Sequence, residues 1–89
     1  MEVVQRQWGK YYVLGSGDTY KVKRLIVNPM KQLSVQRHFK RSELWNVISG
    51  EGEMTVSEKS LFIKDGDFIL IREREWHTVK CTSEEPLVI

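Results

Sequence analysis

Four polar residues in this chain are of types that bind divalent metal ions, namely Gln36, His38, Glu43 and His77. Two imidazoles, a carboxylate and an amide oxygen form a ligand set that suits zinc, manganese, iron or nickel. Gln36 and His38 are two residues apart, so a strand would place both side chains on one face, about 7 Å apart at the backbone. The spacing predicts one divalent-metal site with zinc as the first choice, although lone polar residues on strands are more often surface groups.

The elements that must position these residues are short β-strands separated by turns. Apolar and β-branched runs end at clusters rich in Gly, Asp, Asn and Pro, such as Gly15–Asp18 and Lys64–Asp67. Strands at this regular spacing indicate a β-sandwich or a barrel. The predicted strands are Tyr11–Leu14, Tyr20–Val27, Leu33–Phe39, Leu44–Ser49, Glu53–Ser57, Ser60–Ile63, Phe68–Ile71, Trp76–Cys81 and Leu87–Ile89.

Alternation along these runs predicts which side chains share a face. In the third run one face carries Leu33, Val35, Arg37 and Phe39, and the other carries Ser34, Gln36 and His38. Glu43 follows a turn after which the chain can return beside this run, and His77 follows a second turn. The two histidines of the chain therefore both fall where a shared site is possible.

The bulk composition describes one small globular domain spanning residues 1–89. The net charge is only +2 and the positive residues are scattered along the chain, which argues against a nucleic-acid partner. There is no apolar run of about 18 residues and no secretory signal, so no membrane association is expected. Cys81 is the single cysteine, which favours a cytoplasmic location. A chain this short gains stability from a metal or a second subunit, and we expect a homodimer.

Several motifs that together span nearly all of the chain match one known pattern. Arg6–Tyr11 is similar to R-P-W-G-x-Y, and Tyr20–Pro29 is similar to F-K-V-K-R-I-x-V-x-P. Leu33–Trp45 follows L-S-L-Q-x-H-x-x-R-x-E-H-W, and Val47–Gly50 follows V-V-S-G. The chain thus resembles the C-terminal cupin domain of type II mannose-6-phosphate isomerases, which are usually fused to mannose-1-phosphate guanylyltransferase. The resemblance implies an all-β fold, a small single-domain cupin (double-stranded β-helix, jelly-roll barrel).

The resemblance also implies a metal-dependent sugar-phosphate isomerase. Its metal ligands would be Gln36, His38, Glu43 and His77, with open positions for water or substrate. The implied reaction interconverts mannose 6-phosphate and fructose 6-phosphate through an enediol, and no residue is assigned as the general base. The candidates for binding the substrate phosphate are Arg6, Lys23 and Arg41, which match family positions, and Arg72 and Arg74, which are close in sequence to His77.

Departures from the family pattern keep other functions open. Phe39 and Lys40 stand where the family often has histidines, and Ile71–His77 lacks the Pro and Gly of I-P-x-G-x-x-H. The sequence ends at Ile89, before the tail that the family normally continues with. One alternative is a non-catalytic cupin that binds a sugar or another metabolite. Another is a cupin with different metal chemistry, such as an oxygenase. Arg72 and Arg74 have the further alternative of a solvated basic loop.

Overall fold

The chain folds into β-strands and connecting turns, with no helix. A computed structural model describes all residues from 1 to 89, and the all-β class predicted from the sequence is confirmed. No segment is a helix of the length and apolarity needed to cross a bilayer. The strands are β1 (Glu2–Arg6), β2 (Gly9–Ser16), β3 (Lys21–Val27), β4 (Glu43–Asn46), β5 (Glu51–Val56), β6 (Lys59–Lys64), β7 (Phe68–Ile71), β8 (His77–Cys81) and β9 (Leu87–Val88).

The nine strands form three antiparallel groups around a shared interior. The first group has the order β1-β2-β3-β9, the second pairs β4 with β7, and the third has the order β6-β5-β8. Isolated bridges extend these groups, because Gln36 pairs with His77 of β8 and Ser49 pairs with Val88 of β9. The chain stays in the first group through β3 and returns to it with β9, after passing through the other two groups, and it encloses one core.

The core is formed by side chains from all three groups. Its members are Val27, Leu33, Trp45, Val47, Met54, Ile63, Ile69, Ile71, Val79, Cys81 and Leu87, all less than one tenth exposed. β8 is the most deeply placed strand, since His77, Thr78, Val79 and Cys81 are all buried. Alternation along the strand accounts for the burial of one face, and the backbone bridges from Gln32 and Gln36 cover one edge of β8. His77 therefore begins a strand with little freedom to move.

The prediction of a strand over Leu33–Phe39 is wrong, because the backbone of this segment pairs with β8 only at isolated bridges. The Leu33 amide donates to the Val79 carbonyl and the Gln36 amide to that of His77, so three steps along one chain face two along the other. The extra residue acts as a β-bulge and reverses the alternation. Leu33 is consequently buried while Val35 is 58% exposed, although the sequence predicts that they share a face.

β1 is the strand that the sequence analysis missed. It pairs along its full length with β2, from Glu2 opposite Val13 to Arg6 opposite Gly9. As the edge of its sheet it buries little, and its residues are mostly exposed. The sequence of β1 lacks a clear alternation, so the periodicity used for the other strands has no signal here.

An apolar surface lies on the outer side of the β4–β7 pair. Leu44 pairs with Leu70 across the two strands, and Phe68 lies next to them. The three side chains are 67%, 52% and 67% exposed, respectively. A second copy of the chain could bury these three side chains. The homodimer stays a prediction, which sedimentation at micromolar concentration tests.

The turn before β8 holds Arg74 in the left-handed backbone region. Its φ is +71°, and its amide donates to the His38 carbonyl at 2.6 Å. This position corresponds to the glycine of I-P-x-G-x-x-H, which the chain has replaced. A residue with a Cβ atom is disfavoured there by about 1–2 kcal/mol.

We expect Arg74→Gly to stabilise the protein by about 0.5–1 kcal/mol, because relief of the left-handed strain exceeds the added entropy of a glycine in the unfolded chain. Thermal melts should show a midpoint a few degrees higher than that of the wild type. Arg72→Gly is the matched control, since Arg72 has an ordinary φ and should gain no stability. Equal or lower midpoints for Arg74→Gly would show that the turn is not strained.

Candidate metal centre

Three of the predicted ligands converge at one end of the strands. Glu43 begins β4, His77 begins β8, and His38 lies in the segment that crosses between them. His38 Nε2 is 3.3 Å from Glu43 Oε2, and His77 Nε2 is 3.8 Å from Glu43 Oε1. One donor atom from each of the three residues lies within 4.8 Å of the other two. The two imidazole ring centres are 5.3 Å apart.

Gln36, the fourth predicted ligand, lies beside this cluster. Its backbone exchanges two hydrogen bonds with His77, at 3.0 and 2.9 Å. Residues paired in this way have their side chains on the same face, so Gln36 shares the face of His77. Its side-chain amide nitrogen donates to Ser34 Oγ at 3.4 Å. The placement agrees with the predicted face, and its role as a ligand stays a prediction.

His77 is held in one orientation by its surroundings. It is 3% exposed, and its Nδ1 lies 3.1 Å from the Glu75 carbonyl oxygen. A carbonyl only accepts, so Nδ1 carries the proton and Nε2 presents its lone pair to Glu43 and His38. The Trp45 ring meets the His77 ring edge-on, with centres 5.9 Å apart. The hydrogen bond from Nδ1 to a carbonyl oxygen is the contact that proteins commonly use to orient a histidine toward a metal.

The Glu43 carboxylate accepts a hydrogen bond at each oxygen. The Trp45 indole nitrogen donates to Oε1 at 2.8 Å, and Arg41 donates to Oε2 from Nε at 3.0 Å. Burial alone would raise the pKa of Glu43, but the Trp45 hydrogen bond, the Arg41 charge and the nearby His77 together hold that pKa below its usual value. Glu43 is therefore ionised and fixed in place at neutral pH.

His38 presents its Nε2 atom to a cation of the same chain. Arg41 Nη2 lies 3.0 Å from this atom, and a guanidinium can only donate, so Nε2 is the acceptor. Burial lowers the pKa of His38, and the positive charge of Arg41 lowers it further. The ring is thus neutral at physiological pH, which is the form that binds metals.

The donor set fits a divalent ion. Ligand atoms about 2.1 Å from a tetrahedral zinc ion lie roughly 3.4 Å from one another. The Glu43 distances to His38 and His77, 3.3 and 3.8 Å, are close to this value. Two imidazoles and a carboxylate suit zinc, manganese, iron or nickel alike, so the geometry does not select among them.

Three of the predicted phosphate-binding residues form a cationic row beside the cluster. Lys23 Nζ and Arg6 Cζ lie 4.7 and 5.5 Å from the centre of the Tyr11 ring. Burial lowers the pKa of Lys23, and the charges of Arg41 and Arg6 lower it further while Glu43 opposes them. Lys23 is half-buried and shares a face of β3 with the buried Val27, whereas Arg6 and Arg41 are exposed.

Arg72 and Arg74 are placed differently. Both are exposed, and neither guanidinium makes a hydrogen bond or a salt bridge. Only their backbone is engaged, since the Arg72 amide donates to Glu75 Oε1 at 2.7 Å and Arg74 reaches the His38 carbonyl. Their part in phosphate binding stays a prediction. An open groove of about 480 Å³ is lined by residues 37–41, which include His38.

Trp45 is the residue at the site that the sequence analysis did not single out. It is buried in the core and also anchors Glu43 and borders His77. A signal was present in the sequence, since Glu43 and Trp45 are two residues apart and a strand puts both on one face. Spacing could not show that the indole nitrogen would reach the carboxylate.

Comparison with known proteins places the chain in a family. A family model described as mannose-6-phosphate isomerase C-terminal matches residues 1–89. A mannose-1-phosphate guanylyltransferase from Salmonella muenchen is 38% identical over 84 residues, which are 94% of this chain and 18% of that protein. One from Escherichia coli K12 is 43% identical over 72 residues, 81% of this chain and 13% of that protein. The chain therefore spans less than one fifth of the relatives' length, and their names describe enzymes of sugar-phosphate metabolism.

Solved structures establish the fold. The Cnp3 cupin domain of Schizosaccharomyces pombe superposes with a TM-score of 0.89 at 12% identity, covering 99% of this chain and 64% of that one. An RmlC-like cupin from Shewanella frigidimarina has a TM-score of 0.87 at 18% identity, covering 98% of this chain and 77% of that one. The cupin fold expected from the sequence is confirmed.

We predict that Trp45→Phe weakens divalent-metal binding by about 10–100-fold, because the ring remains but Oε1 of Glu43 loses its donor. The dissociation constant for zinc, measured by competition with a chromophoric chelator, checks this. Trp8→Phe is the matched control, since Trp8 packs against the core away from the ligands. Equal zinc affinities in the two variants would contradict a positioning role for the indole.

A second prediction concerns pH and the neutral His38 ring. Its pKa is lowered from 6.5 in the folded protein, so the unfolded chain takes up the proton first as the pH falls. The free energy of unfolding should therefore decrease from pH 6.5 down to the folded pKa. Glu43, whose pKa is also lowered, adds a loss in the same direction below pH 4.5. Urea titrations in the presence of EDTA measure this, and His38→Asn should flatten the upper part of the profile. An unchanged profile in that variant would rule out His38 as its cause.

Proposed function

The chain belongs to the family of mannose-6-phosphate isomerase C-terminal domains, and on that basis we propose that it is a metal-dependent sugar-phosphate isomerase acting on mannose 6-phosphate and fructose 6-phosphate. The observation that carries the proposal is the meeting of two kinds of group at one end of the fold. His38, Glu43 and His77 form a metal-type donor cluster, and the cationic row of Arg6, Lys23 and Arg41 adjoins it.

The cationic row suits the phosphate end of such a substrate. Guanidinium groups bind phosphate with two parallel hydrogen bonds, and an ammonium adds a point charge. The lowered pKa of Lys23 reflects its burial first, and then crowding by the charges of Arg41, Lys21 and Arg6. A dianionic phosphate would relieve that crowding, so the row is poised for an anion rather than for a neutral sugar.

The donor cluster suits the carbonyl end. A divalent ion held by His38, Glu43 and His77 would act as a Lewis acid on the sugar carbonyl and favour the enediolate. Glu43 is unsuited to moving the proton between the two carbons, because one of its oxygens would bind the ion and Oε1 accepts from Trp45. Its role is to orient and to bind, and the base is a different group.

The test is an assay of chelated protein reloaded separately with zinc, manganese, cobalt and nickel. We expect interconversion of the two sugar phosphates with at least one of these ions. Lys23→Gln should raise KM by about ten-fold and change kcat little, because a phosphate contact lies away from the reacting carbons. Arg24→Gln is the matched control, since Arg24 is the exposed neighbour on the opposite face of β3.

The outcomes separate the alternatives. If none of the four ions supports turnover, the isomerase proposal is overturned. Saturable binding of mannose 6-phosphate without turnover would then favour a non-catalytic sugar-binding cupin. Oxygen consumption by iron-loaded protein would favour an oxygenase.

A further inference from the structure

Arg41 forms hydrogen bonds with side-chain atoms that a metal ion would use as ligands. Its Nη2 is 3.0 Å from His38 Nε2 and 2.8 Å from Glu43 Oε2, and its Nε lies 3.0 Å from that same oxygen. One guanidinium thus bridges two of the three members of the donor cluster. No other cationic side chain of the protein makes a hydrogen bond or a salt bridge to these donor atoms.

The guanidinium and an ion cannot share His38. Neutral Nε2 has a single lone pair in the ring plane, and the hydrogen bond from Arg41 uses it. Coordination of an ion by Nε2 therefore requires that hydrogen bond to break. Two positive charges at Glu43 would also repel each other across a few ångströms, which adds to the competition.

Arg41 is free to move when this happens. Its side chain is 53% exposed, against 20% for Glu43. It precedes β4, in a stretch of chain that belongs to no strand. A rotation of its side chain would break only its contacts to His38 and Glu43 and no rung of the sheets.

The other cations of the row lie close to the position from which Arg41 would leave. The charge of Arg41 already acts on Lys23, and Arg6 acts on Lys23 from the Tyr11 side. When an ion takes the Glu43 carboxylate from Arg41, these positive charges lose that carboxylate as a counterion. An anion that binds among them would supply the missing negative charge.

We propose that Arg41 couples metal binding to phosphate binding, by leaving His38 and Glu43 when an ion binds and joining Lys23 and Arg6 around a phosphate. The inference rests on the proposed function for the site and adds the order in which it assembles. Linkage makes the effect reciprocal, so the ion tightens phosphate and phosphate tightens the ion by the same factor. Such couplings are typically about 5–150-fold.

The experiment is a titration of the chelated full chain with Co²⁺, followed by its visible absorption, with and without inorganic phosphate. For the wild type we expect phosphate to tighten Co²⁺ binding at least about five-fold. For Arg41→Gln we expect tighter Co²⁺ binding than wild type without phosphate, because the competitor is gone, and no further tightening by phosphate. A variant melt confirms that the fold is retained.

Arg37→Gln is the matched control. It removes the same charge one residue from His38, but the Arg37 guanidinium stacks on Phe39 and Trp76, 4.7 and 4.4 Å from their ring centres. We expect it to behave as the wild type in both titrations. Equal tightening by Arg37→Gln and Arg41→Gln would reduce the effect to net charge and overturn the proposal.

The remaining outcomes are also decisive. Phosphate tightening that survives in Arg41→Gln would mean that phosphate binds the ion directly, which contradicts a coupling through Arg41. One-to-one Co²⁺ binding without any effect of phosphate in the wild type would overturn this inference and leave the metal site intact. Failure of the wild type to bind Co²⁺ would overturn the metal site and the inference together.

Discussion

The arrangement of the site depends on one fixed carboxylate. Glu43 lies between two imidazoles, and each of its oxygens accepts a hydrogen bond, one from Trp45 and one from Arg41. A buried carboxylate without such donors would take up a proton more readily, since burial favours the neutral form. Without an ion the two donors reverse that tendency and keep Glu43 charged, and an ion that displaces Arg41 would supply the positive charge in its place. An ionised, immobile oxygen ligand at neutral pH is the condition on which metal binding rests.

The fold supplies the rigidity that this arrangement needs. Glu43 and Trp45 lie on one face of β4, so the anchor of the carboxylate is itself part of the core. His77 begins β8, a strand that is buried on both faces and bridged at its edge by Gln36. His38 is tied less firmly, through the backbone contact of its carbonyl with Arg74. The site thus combines two ligands on strands with one on a connecting segment, which is where adjustment to an ion can occur.

Regular strands were predictable because turn residues and alternation mark them, and eight of the nine observed strands fall on predicted runs. The course of the Leu33–Phe39 segment was not predictable, because a single bulge opposite β8 reverses the alternation and leaves no trace in the pattern of residue types. The candidate ligands followed from residue types and from the family resemblance. Their mutual distances depend on how separate segments meet, as do the contacts of Arg41 with His38 and of Trp45 with Glu43. Spacing along one chain carries no information about such contacts, and it equally could not show that Arg72 and Arg74 face solvent.

The most direct test of the account is the position of a bound ion. A crystal structure of the zinc-loaded protein, with anomalous differences measured at the zinc edge, locates it without assumptions about activity. We predict one strong peak per chain, about 2.0–2.2 Å from His38 Nε2, His77 Nε2 and a Glu43 oxygen. Arg41 should be withdrawn from His38 and Glu43. A peak held by other residues, or an Arg41 that still bridges His38 and Glu43 beside a bound ion, would contradict it.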